Sequence, residues 1–190
     1  KLVPENYKGE NLDRPLVKMP SVTLKQKKDI LFKYQDNLDD FISLPDSDPV
    51  KKWVHNKVNA GKTNHTELYR GMALKKKDVD DFINKLKNED FIFPEGNQMQ
   101  SFTSDIDLAE SYSKWRRTEI SPYASENKQI VMVFTSKQGQ TLRGLDINKS
   151  AMNKTYETQL ETILGGNNKY KFIALDETSD GILFIQMEQI

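Results

Sequence analysis

Hydrophobic positions recur along this chain with two different periods, and the change falls near residue 60. Ile30, Leu31, Tyr34, Leu38, Phe41 and Ile42 follow helical spacing, with Ser21 or Thr23 placed to cap and Pro45 to stop. A second helix is predicted from Asp48 to Asn59, with Asp48 as cap, Pro49 in the first position, and Val50, Trp53, Val54 and Val58 on one face. Gly61 ends it. Residues 1–20 hold Pro4, Pro15 and Pro20 without a sustained period, and read as an extended arm.

Beyond residue 60 strand patterns dominate. Thr66–Met72, Gln98–Ser104, Gln129–Thr135, Thr141–Asp146, Leu160–Leu164, Lys169–Leu175 and Gly181–Glu188 are predicted strands. Helices are expected at Lys75–Asn88, with Val79, Phe82, Ile83 and Leu86 inward, and at Asp107–Trp115, capped by Asp105 or Asp107. Arg116–Lys128, which contains Pro122, is expected to be a loop. Trp53 and Trp115 read as core anchors, Lys75–Lys77 as a solvated face, and Gly165–Asn168 as a turn. The organisation is thus an arm at 1–20 and one domain at 21–190, its helical part at 21–60 and its β-rich core at 66–190.

Composition narrows the function classes. The 190 residues suit one domain. The 28 basic residues balance the 28 acidic ones, which argues against nucleic acid as a partner. The chain has no cysteine, so thiolate catalysis and disulfides are excluded. With two histidines, His55 and His65, a zinc site or a serine triad has little to draw on, and no metal is expected. No apolar run is long enough to span a membrane. The first residue, Lys1, is not methionine, which implies that a leader or upstream domain was removed.

Three residues, each at or on a predicted strand, suggest chemistry: Arg70, Ser101 and Glu161, in that order. Breaking the bond between nicotinamide and ribose in NAD builds positive charge on the sugar, as glycoside hydrolysis does. A carboxylate beside the ribose stabilises that charge, and Glu161 is the candidate. Ser101 would orient the carboxylate from a neighbouring strand, and Arg70 would supply a guanidinium fork for phosphate or ribose oxygens. Gly71 would let the backbone approach the nicotinamide amide. Gln159, two residues before Glu161, faces the acceptor in this reading.

The flanks of these residues carry a resemblance. Leu68-Tyr69-Arg70-Gly71, Gln100-Ser101-Phe102-Thr103-Ser104, and Leu145-Asp146-Ile147 followed by Tyr156-Glu157-Thr158-Gln159-Leu160-Glu161 resemble the motifs of arginine–serine–glutamate mono-ADP-ribosyltransferase toxins. The match runs from about Thr66 to Ile185. Within that class the Gln-Leu-Glu sequence is most similar to the Rho-modifying exoenzymes of clostridial type. The resemblance implies an α+β fold, with a mixed β core of two packed sheets, N-terminal helices, and NAD held in the cleft. It also implies that Gln159 contacts an asparagine of the target and that Tyr156 helps dock it. The target would be a Rho-type small GTPase of a host. Thr103 keeps a hydroxyl where the family has Ser-Thr-Ser, whereas Phe102 replaces the central threonine. The family's second helix presents an Asn and an Arg to NAD. His55 and Asn59 occupy those places, with Lys57 or Lys62 replacing the arginine. Arg116, Arg117 and Tyr123 fall where the family's loop closes over NAD.

The expectation is therefore a monomeric transferase that uses NAD as substrate, secreted and acting in a target-cell cytosol. Three alternatives stand beside it. One is a transferase with another protein target, as in phage or interbacterial effectors. The second is an NAD glycohydrolase using the same Glu161. The third is a binding module that keeps the fold without the activity.

Overall fold

The computed structural model describes residues 44–45, 47–48, 51–52, 55–56, 58, 61–88, 100–120, 123–146, 161–164 and 168–190, and gives the backbone alone at 100, 124, 161 and 163. The arm, the helix expected from Ser21 and the apolar run at Phe91–Phe93 lie outside these residues. The chain divides into two compact units. The first is Lys1–Asn64, Pro94–Ser101 and Arg143–Asn168; the second is His65–Phe93, Phe102–Leu142 and Lys169–Ile190.

In the first unit, Asp48 caps a helical segment as its sequence predicts. Its Oδ1 accepts from the Lys51 amide at 3.2 Å, and its carbonyl accepts from the Lys52 amide at 3.0 Å. Val58 is buried on this segment. Lys62 bridges Arg143, and the Gly144 amide donates to the Gly61 carbonyl at 3.0 Å. Strand β4 (Leu145–Asp146) pairs antiparallel with β5 (Glu161–Leu164), where Thr162 and Leu164 are fully buried. The strand expected from Thr141 is thus reduced to two residues, because Leu142 and Arg143 are engaged by His65 and Lys62 instead.

The second unit is built on a five-stranded sheet. Strand β1 (Glu67–Lys75) pairs antiparallel with β3 (Asn127–Thr135) over nine positions, from Glu67↔Thr135 to Lys75↔Asn127. On its other side β1 meets β2 (Gln100–Thr103) at Tyr69↔Thr103. Strand β7 (Leu183–Gln189) lies parallel to β3, and β6 (Tyr170–Glu177) closes the order β2-β1-β3-β7-β6. The C-terminal hairpin therefore extends this sheet. The second packed sheet expected from the sequence is not shown among the described residues.

Alternation along the strands sorts the two faces. Leu68 stands opposite Phe134, and Met132 and Phe134 stand opposite Ile185 and Met187. All of these are fully buried. Phe102 meets Phe134 edge-to-face at 4.9 Å, and Phe134 meets Tyr170 at 4.7 Å. The other face, which includes Gly71 and Val131, is covered by helix α2 (Ile106–Ile120), which packs on β1 and β3. Helix α1 (Val79–Leu86) follows a single 3₁₀ turn after β1 and buries Leu86. The Lys87 ammonium then lies 5.4 Å from the centre of the Phe172 ring.

Helix α2 corrects two expectations. It continues through Arg116–Ile120, where a loop was predicted, and the helix is set by Asp105. The Asp105 Oδ1 accepts from the Asp107 and Leu108 amides at 2.9 and 3.3 Å. No helix breaker occurs before Ser121-Pro122, whose ring disfavours helical backbone at the preceding residue. Trp115 is 52% exposed on this helix and is no core anchor. It projects beside Tyr112 (ring centroids 6.2 Å apart), with the Arg116 guanidinium 5.6 Å from its ring.

Candidate functional site

The residues read as catalytic divide between the units: Ser101 and Glu161 in the first, Arg70 in the second. Glu161 opens β5, a hydrogen-bonded neighbour of β2, so it and Ser101 sit on adjacent strands. Ser101 is half-buried. Thr162, next to Glu161, is fully buried, and its hydroxyl has no hydrogen-bond partner among the described residues. A buried polar group without a partner is uncommon and costs stability, so the β5 start holds unused hydrogen-bonding capacity.

Arg70 lies in the middle of β1, opposite Met132 of β3 and half-buried. Its guanidinium carbon stands 5.8 Å from the centre of the Phe102 ring. Thr103 is buried, and its hydroxyl accepts from the Asp105 amide at 3.1 Å. That bond shapes the turn from β2 into α2, which gives the Thr103 hydroxyl, proposed also to contact NAD, a structural task. By strand alternation Ser101 is on the Thr103 side of β2.

Gly71 packs closely against helix α2. A Cβ built there would sit 1.9 Å from the Ala109 carbonyl oxygen and 2.7 Å from the Ser113 amide nitrogen. The space a side chain would take is filled by α2 backbone, so the absence of a Cβ serves helix–sheet approach. Tyr69, on the same face, bonds the Glu67 carboxylate. Burial, then that hydrogen bond and the nearby negative charge, push its phenol up to about 12.

His55 lies on helical backbone and is half-buried. Its neighbour Asn56, which the sequence did not single out, is 8% exposed, and its amide Nδ2 has no hydrogen-bond partner among the described residues. The available signal was its place three residues after Trp53, which puts a polar residue on the apolar side. Arg117 sits on α2, where its carbonyl accepts from Asn127 Nδ2 at 2.8 Å and its Nε is buried without a hydrogen-bond partner among the described residues. Arg116 pairs with Glu119 at 2.7 Å, and Tyr123 is exposed. These residues belong to a helix and its exit, so the loop expected to close over NAD is replaced here by ordered backbone as far as Ile120. Asn59, Lys57, Tyr156 and Gln159 lie outside the described residues. Among the described residues no group of three His, Cys, Asp or Glu is placed to hold a metal ion, and no helix is long and apolar enough to cross a membrane.

No protein-family model and no curated protein matches the chain. Solved structures do. The Vis toxin, an ADP-ribosyltransferase from Vibrio splendidus, is 13% identical with a TM-score of 0.51, over 87% of this chain and 73% of that one. C3stau2 from S. aureus, solved with NAD, is 13% identical with a TM-score of 0.53, over 87% of each chain. The ADP-ribosyltransferase HopU1 of Pseudomonas syringae pv. tomato is 15% identical with a TM-score of 0.50, over 87% of this chain and 64% of that one. The chain has the fold of the ADP-ribosyltransferases.

Proposed function

We propose that this protein cleaves NAD at the nicotinamide–ribose bond and transfers ADP-ribose to a protein. The observation that carries the reading is the coincidence of two facts. The chain folds like solved ADP-ribosyltransferases, among them one solved with NAD. Its arginine, serine and glutamate lie on strands β1, β2 and β5.

The chemistry is dissociative. The bond from the ribose C1′ to nicotinamide breaks, and its electron pair leaves with nicotinamide. Glu161 stabilises the ribosyl cation and holds the 2′-hydroxyl by a charge-assisted hydrogen bond. Ser101 orients that carboxylate from the adjacent strand. Arg70 binds phosphate or ribose oxygens through its in-plane N–H groups. The nitrogen of the acceptor amide then attacks C1′ and loses its proton to solvent. Gln159 would hold that amide, since a primary amide both donates to and accepts from another, and Tyr156 would help dock the protein. The resemblance of Gln159-Leu160-Glu161 to the Rho-modifying exoenzymes makes an asparagine of a Rho-type GTPase the acceptor to test first. A secreted protein that acts in another cell's cytosol is the setting in which such chemistry has a use, and the toxin among the structural neighbours supports it.

The test incubates the protein with labelled NAD, a panel of Rho-family GTPases and whole-cell lysate, with wild type beside Glu161→Gln. A Glu161-dependent label on the GTPases supports both activity and target. Label on other lysate proteins keeps the transferase and rejects the GTPase. Nicotinamide release without label turns the reading to a glycohydrolase, and the absence of both signals refutes the enzyme. Gln159→Ala is expected to lose protein labelling while keeping nicotinamide release; equal loss of both overturns the division of roles.

A further inference from the structure

Strand β6 ends the order β2-β1-β3-β7-β6, so one of its edges has no strand beside it among the described residues. Ile173 is 41% and Leu175 42% exposed, Ala174 is exposed between them, and Lys171 and Asp176 are exposed at the two ends. The segment Lys171-Phe172-Ile173-Ala174-Leu175-Asp176 is thus basic at one end, acidic at the other and apolar between. An exposed apolar edge is a template for pairing with another strand.

The ladder to β7 fixes which backbone groups of β6 point away from it, because bonded and non-bonded pairs alternate along antiparallel strands. The Ile190 amide donates to the Lys169 carbonyl at 3.0 Å, so Lys171 is the next residue bonded to β7, and the N–H and C=O of Phe172 turn outward. At the other end the Thr178 amide donates to the Ile182 carbonyl at 2.9 Å, so Asp176 and Ala174 are bonded to β7, and the N–H and C=O of Leu175 turn outward. Between these stretches the register slips by one at Ile173, a β-bulge. The outward groups at 172 and 175 therefore stand three residues apart, whereas a regular strand presents them at every second residue. A regular partner needs an irregularity of its own to follow β6 past Ile173. A second copy of β6 running antiparallel matches residue for residue: Phe172 meets Leu175, Ile173 meets Ala174 and Lys171 meets Asp176, each twice about a dyad.

Faces and charges agree with that register. Lys171 and Asp176 stand opposite Glu188 and Phe184 on one face of the sheet, and Phe172 and Leu175 stand opposite Met187 and Ile185 on the other. The Lys171 ammonium lies 3.2 Å from the Glu188 carboxylate and is half-exposed, so the Asp176 of a second copy would flank it with another carboxylate. The Asp176 Oδ1 accepts from the Glu177 amide at 2.8 Å, and no ion pair engages this carboxylate among the described residues. Exposed charge pairs add little affinity, but they select direction and register.

We propose that β6 is a homodimerisation edge that joins the sheets of two copies about a dyad between residues 173 and 174, in place of the monomer expected from the sequence. Strands β3 and β7 separate β6 from β1, so the strand that carries Arg70 lies away from the seam.

The test is sedimentation velocity of the full chain over a concentration series that reaches the millimolar range, since a seam of one strand pair is small. The mass is expected to move from one chain to two. Lys171→Asp sets aspartate against the Asp176 of the other copy, and Asp176→Lys sets lysine against its Lys171. Each alone is expected to raise the dissociation constant roughly tenfold or more, and an equimolar mixture of the two variants is expected to recover the dimer, because every opposed pair is then opposite in sign. Leu175→Pro removes an outward N–H that makes no bond to β7, and is expected to abolish the dimer while the circular dichroism spectrum holds. A wild type that stays single throughout overturns the proposal. So does a dimer that persists in Leu175→Pro and in both charge variants, and so does a mixture that fails to associate while each variant is folded. Where a charge variant does not fold, Leu175→Pro decides.

Discussion

Gly71→Ala separates two accounts of one residue. The sequence suggested that a glycine beside Arg70 admits a ligand; the structure puts the α2 backbone there. The added methyl carbon would lie 1.9 Å from the Ala109 carbonyl oxygen, 2.7 Å from the Ser113 amide nitrogen and 2.9 Å from the Ala109 carbonyl carbon. Non-bonded heavy atoms prefer about 3.5 Å, so helix and strand must separate by roughly 1–1.5 Å. The obstacles are backbone atoms and cannot turn aside. The helix is also held on both sides of the contact. Asp105 fixes its first turn, Gln129 donates to the Ser113 hydroxyl at 3.1 Å, and Asn127 donates to the Arg117 carbonyl at 2.8 Å. Overpacking a core typically costs about 1–3 kcal/mol, and a backbone collision belongs at or above the upper end. A cost of about 3 kcal/mol lowers the melting temperature by roughly 6–12 °C in a chain of this size. Urea and thermal denaturation followed by circular dichroism measure it. A stability change below about 0.5 kcal/mol refutes the packing argument. If that small change accompanies a loss of NAD affinity, the ligand-approach role is the correct one.

Three further outcomes are expected. Asp105→Ala removes the acceptor of the Asp107 and Leu108 amides and should cost about 1 kcal/mol in urea denaturation, with Asp105→Asn recovering most of it. Ser113→Ala deprives the buried Gln129 amide of its partner and should cost about 1–3 kcal/mol; Ser113→Ala combined with Gln129→Leu should cost less than the sum of the two single changes. The Tyr69 phenol is raised from 10.0 to about 12, so the folded state holds its proton more tightly than the unfolded chain. Its contribution to stability is complete below pH 10 and is lost as pH rises towards about 12. Absorbance titration near 295 nm should show one tyrosine titrating late, and Glu67→Gln should move it earlier. A Tyr69 that ionises with the other tyrosines in the wild type contradicts the burial and the Glu67 bond.

Much of the fold was legible because its causes are local. Asp48 and Asp105 sit before helices and cap them, and the spacing of Val79, Phe82, Ile83 and Leu86 marks α1. Leu183, Ile185, Met187 and Gln189 alternate with half-exposed residues and define β7. That Arg70, Ser101 and Glu161 lie on strands was readable too, since each stands beside its own strand signal. What the sequence left open depends on residues far apart in the chain. Whether the C-terminal hairpin forms a second sheet or joins the first is decided by the parallel pairing of β7 with β3, more than fifty residues away. Helix α2 runs further than a loop around Pro122 suggests, because the steric effect of proline begins only at the residue before it. At position 71 the close approach of Ala109 leaves no space for a side chain, which the local strand signal does not reveal. Phe102 looked like a lapse from a pattern, and Arg70, Phe134 and Tyr170 made it part of a stack. Periodicity and caps act within a few residues, so the sequence states them directly. Close approach, strand order and the environment of a charge arise between distant segments, and only the tertiary structure decides them.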